Sequence, residues 1–308
     1  MKTFRLGLVG AGRMGLVHLR AAAGSPLVEI AAVADPSVAA REVLRPFDVA
    51  VHADAMAMID AGGLDGVLIA TPSPSHVATI AAVAARGLPI LCEKPCGISA
   101  AQAREAAAIA ESAGVHLQIG YWRRFVPELR ALRERIMARA LGELYLVSCF
   151  QWDETPPPAS FRASGGGAFI DMGVHEFDQL RWLTGQELGD YRVAAASTAF
   201  AEVVPEDPDA VQLLCTLSNG GNGLVSLGRR FPVGDACWVQ AFGTMDFAES
   251  RFFWPPAGEA VFLAALRAQL EDFSRAVQGQ PSAAATASDA VAALVAAEAA
   301  TAALRQAR

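Results

Sequence analysis

The first 120 residues alternate between two periods, and that alternation constrains the fold more than any other feature of the chain. Short, continuously apolar runs recur at FRLGLV (4–9), VEIAAVA (28–34), GVLIAT (66–71), LPILC (88–92) and VHLQIG (115–120). An apolar run without polar alternation predicts a strand buried on both faces, which is the mark of a parallel sheet covered by helices. The stretches between them read as those helices. MGLVHLRAAAG stops at Gly24, SHVATIAAVAARG stops at Gly87, and ISAAQAREAAAIAESAG opens on Ser99 with Gln102 three residues on and stops at Gly114. Serine followed by glutamine at that spacing is a capping-box start, and glycine past the last periodic residue is a helix stop. A shorter pair, DVAVHAD and AMAMIDAGG, completes the series. The expectation is a doubly wound α/β domain over residues 1–120.

The pattern changes after Gly120. A helix, VPELRALRERIMARA, leads into a strand, ELYLVSCFQW; a proline cluster at 156–158 and a glycine run at 165–167 frame a loop; a helix follows at about 169–183. YRVAAASTAF, AVQLLCTLS, GLVSLGRRF, CWVQAFG and MDFAESRFF read as strands, with SNGGNG as a hairpin turn, and two helices end the chain. Residues 121–308 are therefore expected to form a second, α+β domain with a large open, mostly antiparallel sheet.

A formal charge of −7 argues against nucleic acid or an anionic membrane as partner. The Ala-rich tail AVAALVAAEAATAAL is the stretch nearest to a membrane span, but it is short, interrupted by Glu298, and reads as a packed helix. Five cysteines, at 92, 96, 149, 215 and 237, show no paired framework and no metal-knuckle spacing. Reduced thiols in a cytoplasmic protein, with no metal site, are the simpler expectation.

Two segments carry chemistry. Gly10-Ala-Gly12-Arg13-Met14-Gly15 follows the first strand and opens the first helix. In that context the first two glycines tighten the turn and admit a pyrophosphate, the third lets helix pack on strand, and the helix N-terminus supplies N–H donors. Asp35, at the end of the second strand, is placed to accept from both ribose hydroxyls and to repel a 2′-phosphate, which favours NAD over NADP; Arg41 softens that preference. A flavodoxin-like turn without a dinucleotide is the alternative. The second segment is GGGAFIDMGVHEFDQLRWLTG. At 100° per residue Ile170, Val174, Phe177, Leu180 and Leu183 form an apolar stripe, while Asp171, His175, Asp178 and Trp182 share another face. Asp171 and His175 then stand one turn apart, a carboxylate able to orient an imidazole base, although a capped helix with an exposed polar face fits the same residues.

Taken together, GAGRMG, ATPSPSH (70–76), CEKP (92–95), QIGYWRRF (118–125) and GGGAFIDMGVHEFDQLRWL (165–183) resemble the glucose–fructose oxidoreductase, inositol dehydrogenase and rhizopine-catabolism (Gfo/Idh/MocA) family, in order and spacing across most of the chain. The resemblance implies a Rossmann domain, an open-sheet domain that serves as a homo-oligomer interface (dimer or tetramer), and oxidation of a hydroxyl on a small polyol or sugar. Matching positions imply catalytic roles for Lys94, Asp171 and His175, and place Thr71, Pro72, His76 and Glu93 with Gly10, Gly12, Arg13, Met14, Gly15 and Asp35 at the dinucleotide. It also implies a cis Lys94–Pro95 peptide. Lys94 lies just past the end of a central strand, where open α/β sheets place ligands, and the following proline restricts its backbone. Substrate contacts are expected from Lys94, Asp171, His175, Trp122, Arg123, Gln151 and Trp152. Gln151 stands where inositol dehydrogenases carry a substrate-contacting histidine. A regulator that binds the dinucleotide without chemistry, or a sugar–sugar oxidoreductase with tightly held NADP, are the alternative readings.

Overall fold

The computed structural model describes residues 3–159, 162, 165–196 and 207–307, which form two compact units. The first comprises residues 1–125 with 263–291, the second residues 126–262 with 292–308.

The first unit is built on a seven-stranded sheet. Its strands are β1 (Phe4–Val9), β2 (Val28–Ala34), β3 (Ala50–His52), β4 (Gly66–Ile69), β5 (Ile90–Glu93), β6 (Leu117–Gly120) and β13 (Ala285–Thr286), in the order β13-β6-β5-β4-β1-β2-β3. All pairings are parallel except that of β13 with β6. The crossovers carry α1 (Arg13–Ala22), α2 (Val38–Val43), α3 (Ala55–Asp60), α4 (His76–Ala84) and α5 (Ala100–Ala113). Helix α5 starts as its sequence implies: Ser99 Oγ accepts the Gln102 N–H, and the Gln102 side chain reaches back to accept the Ile98 N–H at 2.7 Å. Gly114 ends it in the left-handed conformation, φ +65°.

The switch point of this sheet lies at β1 and β4, whose carboxyl ends face the glycine turn. The core beneath it packs Leu6, Leu8, Leu68 and Leu91 from the sheet against Leu19 of α1 and against Leu270 and Phe273 of α8 (Gly258–Val277). Residues 263–291 thus belong to the first unit, whereas the sequence pattern placed everything after residue 120 in the second. The reason is the apolar face of α8: Phe273 meets Phe4 edge-on at 5.9 Å and His116 at 5.7 Å, and the chain then adds β13 to the sheet edge.

The second unit is a six-stranded sheet in the order β12-β11-β7-β10-β9-β8. Its strands are β7 (Leu144–Trp152), β8 (Leu188–Ala196), β9 (Ala210–Leu217), β10 (Asn222–Gly228), β11 (Ala236–Gly243) and β12 (Phe247–Phe253). Every pairing is antiparallel except β7 with β10. The strand read over 191–200 begins earlier, at Leu188, and its last four positions lie outside the described residues. One face of the sheet meets α7 (Val174–Thr184), where the Gln179 amide donates to Cys149 Sγ. Helix α6 (Pro127–Met137) lies against α7, with Arg133 donating to the Trp182 carbonyl. The Ala-rich tail forms α9 (Ala287–Gln306), long and apolar enough by composition to cross a membrane, yet it buries Ala293, Leu294, Ala297, Ala300 and Leu304 along one face.

Candidate active site

The glycine turn has the geometry a dinucleotide needs. Gly10 sits at φ +102°, and a Cβ there would lie 2.6 Å from the Ala70 carbonyl oxygen. A Cβ on Gly15 would lie 2.1 Å from the Gly10 carbonyl oxygen, so α1 seats against the turn only with glycine. At Gly12, the residue that caps α1, a Cβ would meet nothing within 4 Å, which leaves its outer side open for a phosphate to approach. Arg13 and Met14 form the first turn of α1, which carries no acidic residue and no side-chain cap, so its N–H donors and positive dipole end are available to an anion.

Asp35 anchors this turn. Its Oδ2 accepts the Ala11 N–H and its Oδ1 the Ser37 N–H, both at 2.8 Å. An ionised carboxylate has about four acceptor sites, so capacity remains for ribose hydroxyls. Arg41 donates from one guanidinium nitrogen to the Asp35 and Pro36 carbonyls at 2.7 and 2.9 Å, which fixes it beside that loop. The residues therefore fit NAD.

Across the switch point, Thr71 and Pro72 lead into a single turn of 3₁₀ helix (Ser73–Ser75), and Thr71 Oγ1 accepts from Ser75. His76, expected beside the dinucleotide, is buried with its Nδ1 2.8 Å from the Pro95 carbonyl and its Nε2 2.8 Å from the Thr71 carbonyl. The ring is thus a bridge between two loops. Neutral imidazole donates to one carbonyl at a time, and only imidazolium to both. Burial holds the His76 pKa below the ordinary histidine value, against the pull of the two carbonyls and Glu93.

Lys94 is half-buried directly after β5, and its peptide to Pro95 is cis. Glu93, also expected at the dinucleotide, is turned inward: its Oε1 lies 2.7 Å from His18 Nε2 and its Oε2 accepts the Lys94 N–H at 3.1 Å. Cys92 and Cys96 flank the turn, both buried, and burial pushes the Cys92 thiol well above its usual range. Trp122 and Arg123 lie in a buried 3₁₀ turn (Trp122–Phe125), the Arg123 guanidinium 6.0 Å from the Trp122 ring centre. Arg124, next to them, pairs with Asp289 at 3.3 Å.

In the second unit the histidine helix is not regular. Phe169–Gly173 forms a π-helical turn, and α-helix begins only at Val174. A turn of this kind winds by less than 100° per residue, and such turns recur at functional sites. The Asp171 carboxylate accepts from Arg229 at 2.8 Å, and His175 is buried in the first turn of α7. Arg229 is 2% exposed and also reaches Asp207 at 3.0 Å and Asp153 at 3.2 Å. Parallel pairing of β7 with β10 brings Arg229 and Asp153 together, since each follows the last residue of its strand and the Asp153 N–H donates to the Gly228 carbonyl. Burial, only partly offset by Arg229, raises the pKa of both Asp153 and Asp207.

Gln151 joins this cluster through Asp153, at 3.4 Å. Trp152 does not. It points to the opposite face, donates to Ser226 Oγ at 3.1 Å and packs 6.1 Å from Phe231. Four residues of these clusters escaped the sequence reading: His18, Asp153, Asp207 and Arg229. Only His18 left a trace, a polar residue amid the apolar run GLVHLRAA.

Two family models match the chain: an oxidoreductase family with an NAD-binding Rossmann fold over residues 4–121, and a GFO/IDH/MocA C-terminal domain over residues 129–248. The chain belongs to the Gfo/Idh/MocA family of NAD-binding oxidoreductases, within its inositol dehydrogenase relatives. It is 70% identical over 301 residues to the rhizopine catabolism protein MocA of Rhizobium meliloti, spanning 98% of this chain and 95% of that one. It is 31% identical to an inositol 2-dehydrogenase of Rhizobium meliloti (strain 1021), over 79% of this chain and 74% of the relative. The crystal structure of a myo-inositol dehydrogenase from Corynebacterium glutamicum ATCC 13032 matches with a TM-score of 0.88 at 25% identity, covering 100% of this chain and 98% of that one. Scyllo-inositol dehydrogenase from Lactobacillus casei, solved with bound cofactor NAD(H) and scyllo-inositol, shares the fold at a TM-score of 0.87 and 22% identity, over 99% of this chain and 98% of that one.

Proposed function

We propose that the protein is an NAD-dependent dehydrogenase that oxidises a secondary hydroxyl of a cyclic polyol or sugar, of the inositol class, to a ketone. NAD, when bound, supplies the hydride acceptor. In this reading Lys94 hydrogen-bonds the reacting oxygen and stabilises the charge that develops as its proton leaves. His175 takes that proton, and Asp171, anchored by Arg229, supplies the negative charge that favours the protonated imidazole. The observation that carries the reading is the braced turn at Lys94, with its N–H held by Glu93 and the next carbonyl held by His76, at the carboxyl end of a central strand of an NAD-binding sheet. The preference for NAD over NADP is assigned to the Asp35 carboxylate, which a 2′-phosphate would meet as like charge.

A homo-oligomer is assigned to the open face of the second unit's sheet. That face carries Phe150 stacked on Trp238 at 4.4 Å and Phe242 against Phe247 at 4.8 Å, with Leu214 50% and Phe247 46% exposed. Exposed apolar side chains of this kind, here with the Gln240–Glu249 pair between the two aromatic pairs, suit an association surface.

The test is a panel of cyclic polyols and sugars run with NAD and NADP in parallel, followed by absorbance of the reduced cofactor. General acid–base groups contribute about 10²–10⁴-fold, so Lys94→Ala and His175→Ala are expected to lose turnover on that scale while NAD binding persists. Near-full turnover in the Lys94 variant refutes the assignment. Binding of NADH with no reduction across the panel favours a regulator.

A further inference from the structure

A fully buried histidine stands behind the Lys94 turn, in contact with Glu93. His18 lies in α1, one turn beyond Gly15, and is 0% exposed. Burying an imidazole is unfavourable unless it is hydrogen-bonded, and the partner it finds is the Glu93 carboxylate, 2.7 Å from its Nε2. Ionised carboxylate only accepts, so Nε2 carries the proton.

Glu93 is 5% exposed and tied at both oxygens, one to α1 through His18 and the other to the Lys94 backbone N–H. Burial alone would raise its pKa; the hydrogen bond from His18 and the neighbouring Lys94 outweigh burial and hold it below the usual glutamate value. Gly120 on the neighbouring strand leaves the carboxyl little slack, since a Cβ there would lie 3.1 Å from Glu93 Cδ. A continuous polar link therefore runs from the helix that follows the glycine turn to the amide of the lysine.

We propose that His18 is a positioning residue for Lys94, acting through the Glu93 carboxylate. It touches neither substrate nor cofactor. It fixes the side-chain rotamer of Glu93, which in turn fixes the backbone from which the Lys94 amine projects. The inference rests on the catalytic reading of Lys94, and its test separates the two.

The test compares His18→Leu, which removes the donor, His18→Gln, which restores an N–H near the Nε2 position, and Glu93→Gln. Hydrogen–deuterium exchange across residues 91–97 reads the brace without any need for activity; steady-state kinetics read its consequence. A hydrogen bond to a charged group corresponds to about 10–10²-fold. Exchange at the Lys94 amide is expected to rise about tenfold or more in His18→Leu, and kcat to fall about 10–10²-fold, with the NAD dissociation constant within about threefold of wild type. His18→Gln recovers most of both. The His18→Leu/Glu93→Gln double variant is expected to be no slower than the worse single variant, because the two act as one unit. Unchanged exchange at Lys94, or a lowered melting temperature with kcat and KM intact, overturns the proposal. If His18→Leu does not fold, the same outcomes are read from His18→Gln against Glu93→Gln. Faster exchange in a protein whose Lys94→Ala variant still turns over would leave the brace standing and remove the catalytic reading instead.

Discussion

Replacing Arg229 by leucine removes a guanidinium that contacts Asp171, Asp153 and Asp207 together. Asp207 is buried and, among the described residues, would keep Arg162, at 3.8 Å. Breaking a buried ion pair from one side costs about 3–5 kcal/mol, because the remaining charge is left uncompensated. That is a large share of the 5–15 kcal/mol typical of folded proteins. The cost depends on pH with a definite sign. Asp153 and Asp207 already have raised pKa values in the folded protein, and losing Arg229 raises them further. In the window from the unfolded value near 3.8 up to those raised values, the folded variant binds more protons than the unfolded chain, so its stability falls as pH rises. The deficit relative to wild type is therefore greatest at neutral pH and shrinks on acidification. Urea unfolding followed by far-ultraviolet circular dichroism at pH 5 and pH 7.5 measures it. Turnover should fall with it, as Asp171 loses its anchor, and Arg229→Lys should be intermediate, since an ammonium keeps the charge but not the planar fork. A deficit below about 1 kcal/mol at pH 7.5, or one that grows toward pH 5, would refute the reasoning.

Gly15→Ala should abolish NAD binding by isothermal titration and destabilise the first unit by about 1–3 kcal/mol, because its Cβ would meet backbone at 2.1 Å rather than a side chain that can move. Asp35→Ser should raise the use of NADP relative to NAD by about tenfold in paired kcat/KM measurements, and should also weaken NAD, since Asp35 holds the Ala11 and Ser37 amides. His76 is held neutral by burial, so the unfolded chain binds its proton more readily; stability from this group is full above about pH 6.5 and is lost as pH falls through the lowered folded value. Melting temperatures measured from pH 7.5 to pH 5 should fall less steeply in His76→Gln than in wild type.

The sequence carried the first unit's strands and crossovers because each is a local signal: a continuous apolar run, a serine cap, a glycine at positive φ. Residues 263–291 were not legible in the same way, since an apolar helix face does not say which sheet it covers. Lys94, Gly10, Gly15 and Asp35 were named from motifs whose geometry is local. Arg229 was not, because its partners lie 22, 58 and 76 residues away and meet it only in the tertiary fold. The π-helical turn at Phe169–Gly173 has no sequence signature, so a regular helix over about 169–183 was the natural expectation. Trp152 was open to a stricter reading. Adjacent strand residues face opposite sides, so Gln151 and Trp152 cannot both line one cluster, and the structure puts Gln151 with Asp153 and Trp152 with Phe231.

Glu93, Asp153 and Arg229 share a kind of position that stability does not explain. Buried ion pairs are often no more stabilising than apolar residues of equal volume, so their persistence calls for a different cause. Glu93 ends β5, Asp153 follows β7 and Arg229 follows β10, so each lies at the carboxyl end of a strand in a parallel pair. Those ends are where the backbone leaves the ladder and side chains can be aimed independently of the pleat. A charge there costs desolvation, and what it gains is a fixed direction for its neighbour: Lys94 beside Glu93, Asp171 beside Arg229. Such positions sacrifice stability for orientation, the pattern expected of a site built to hold reacting groups.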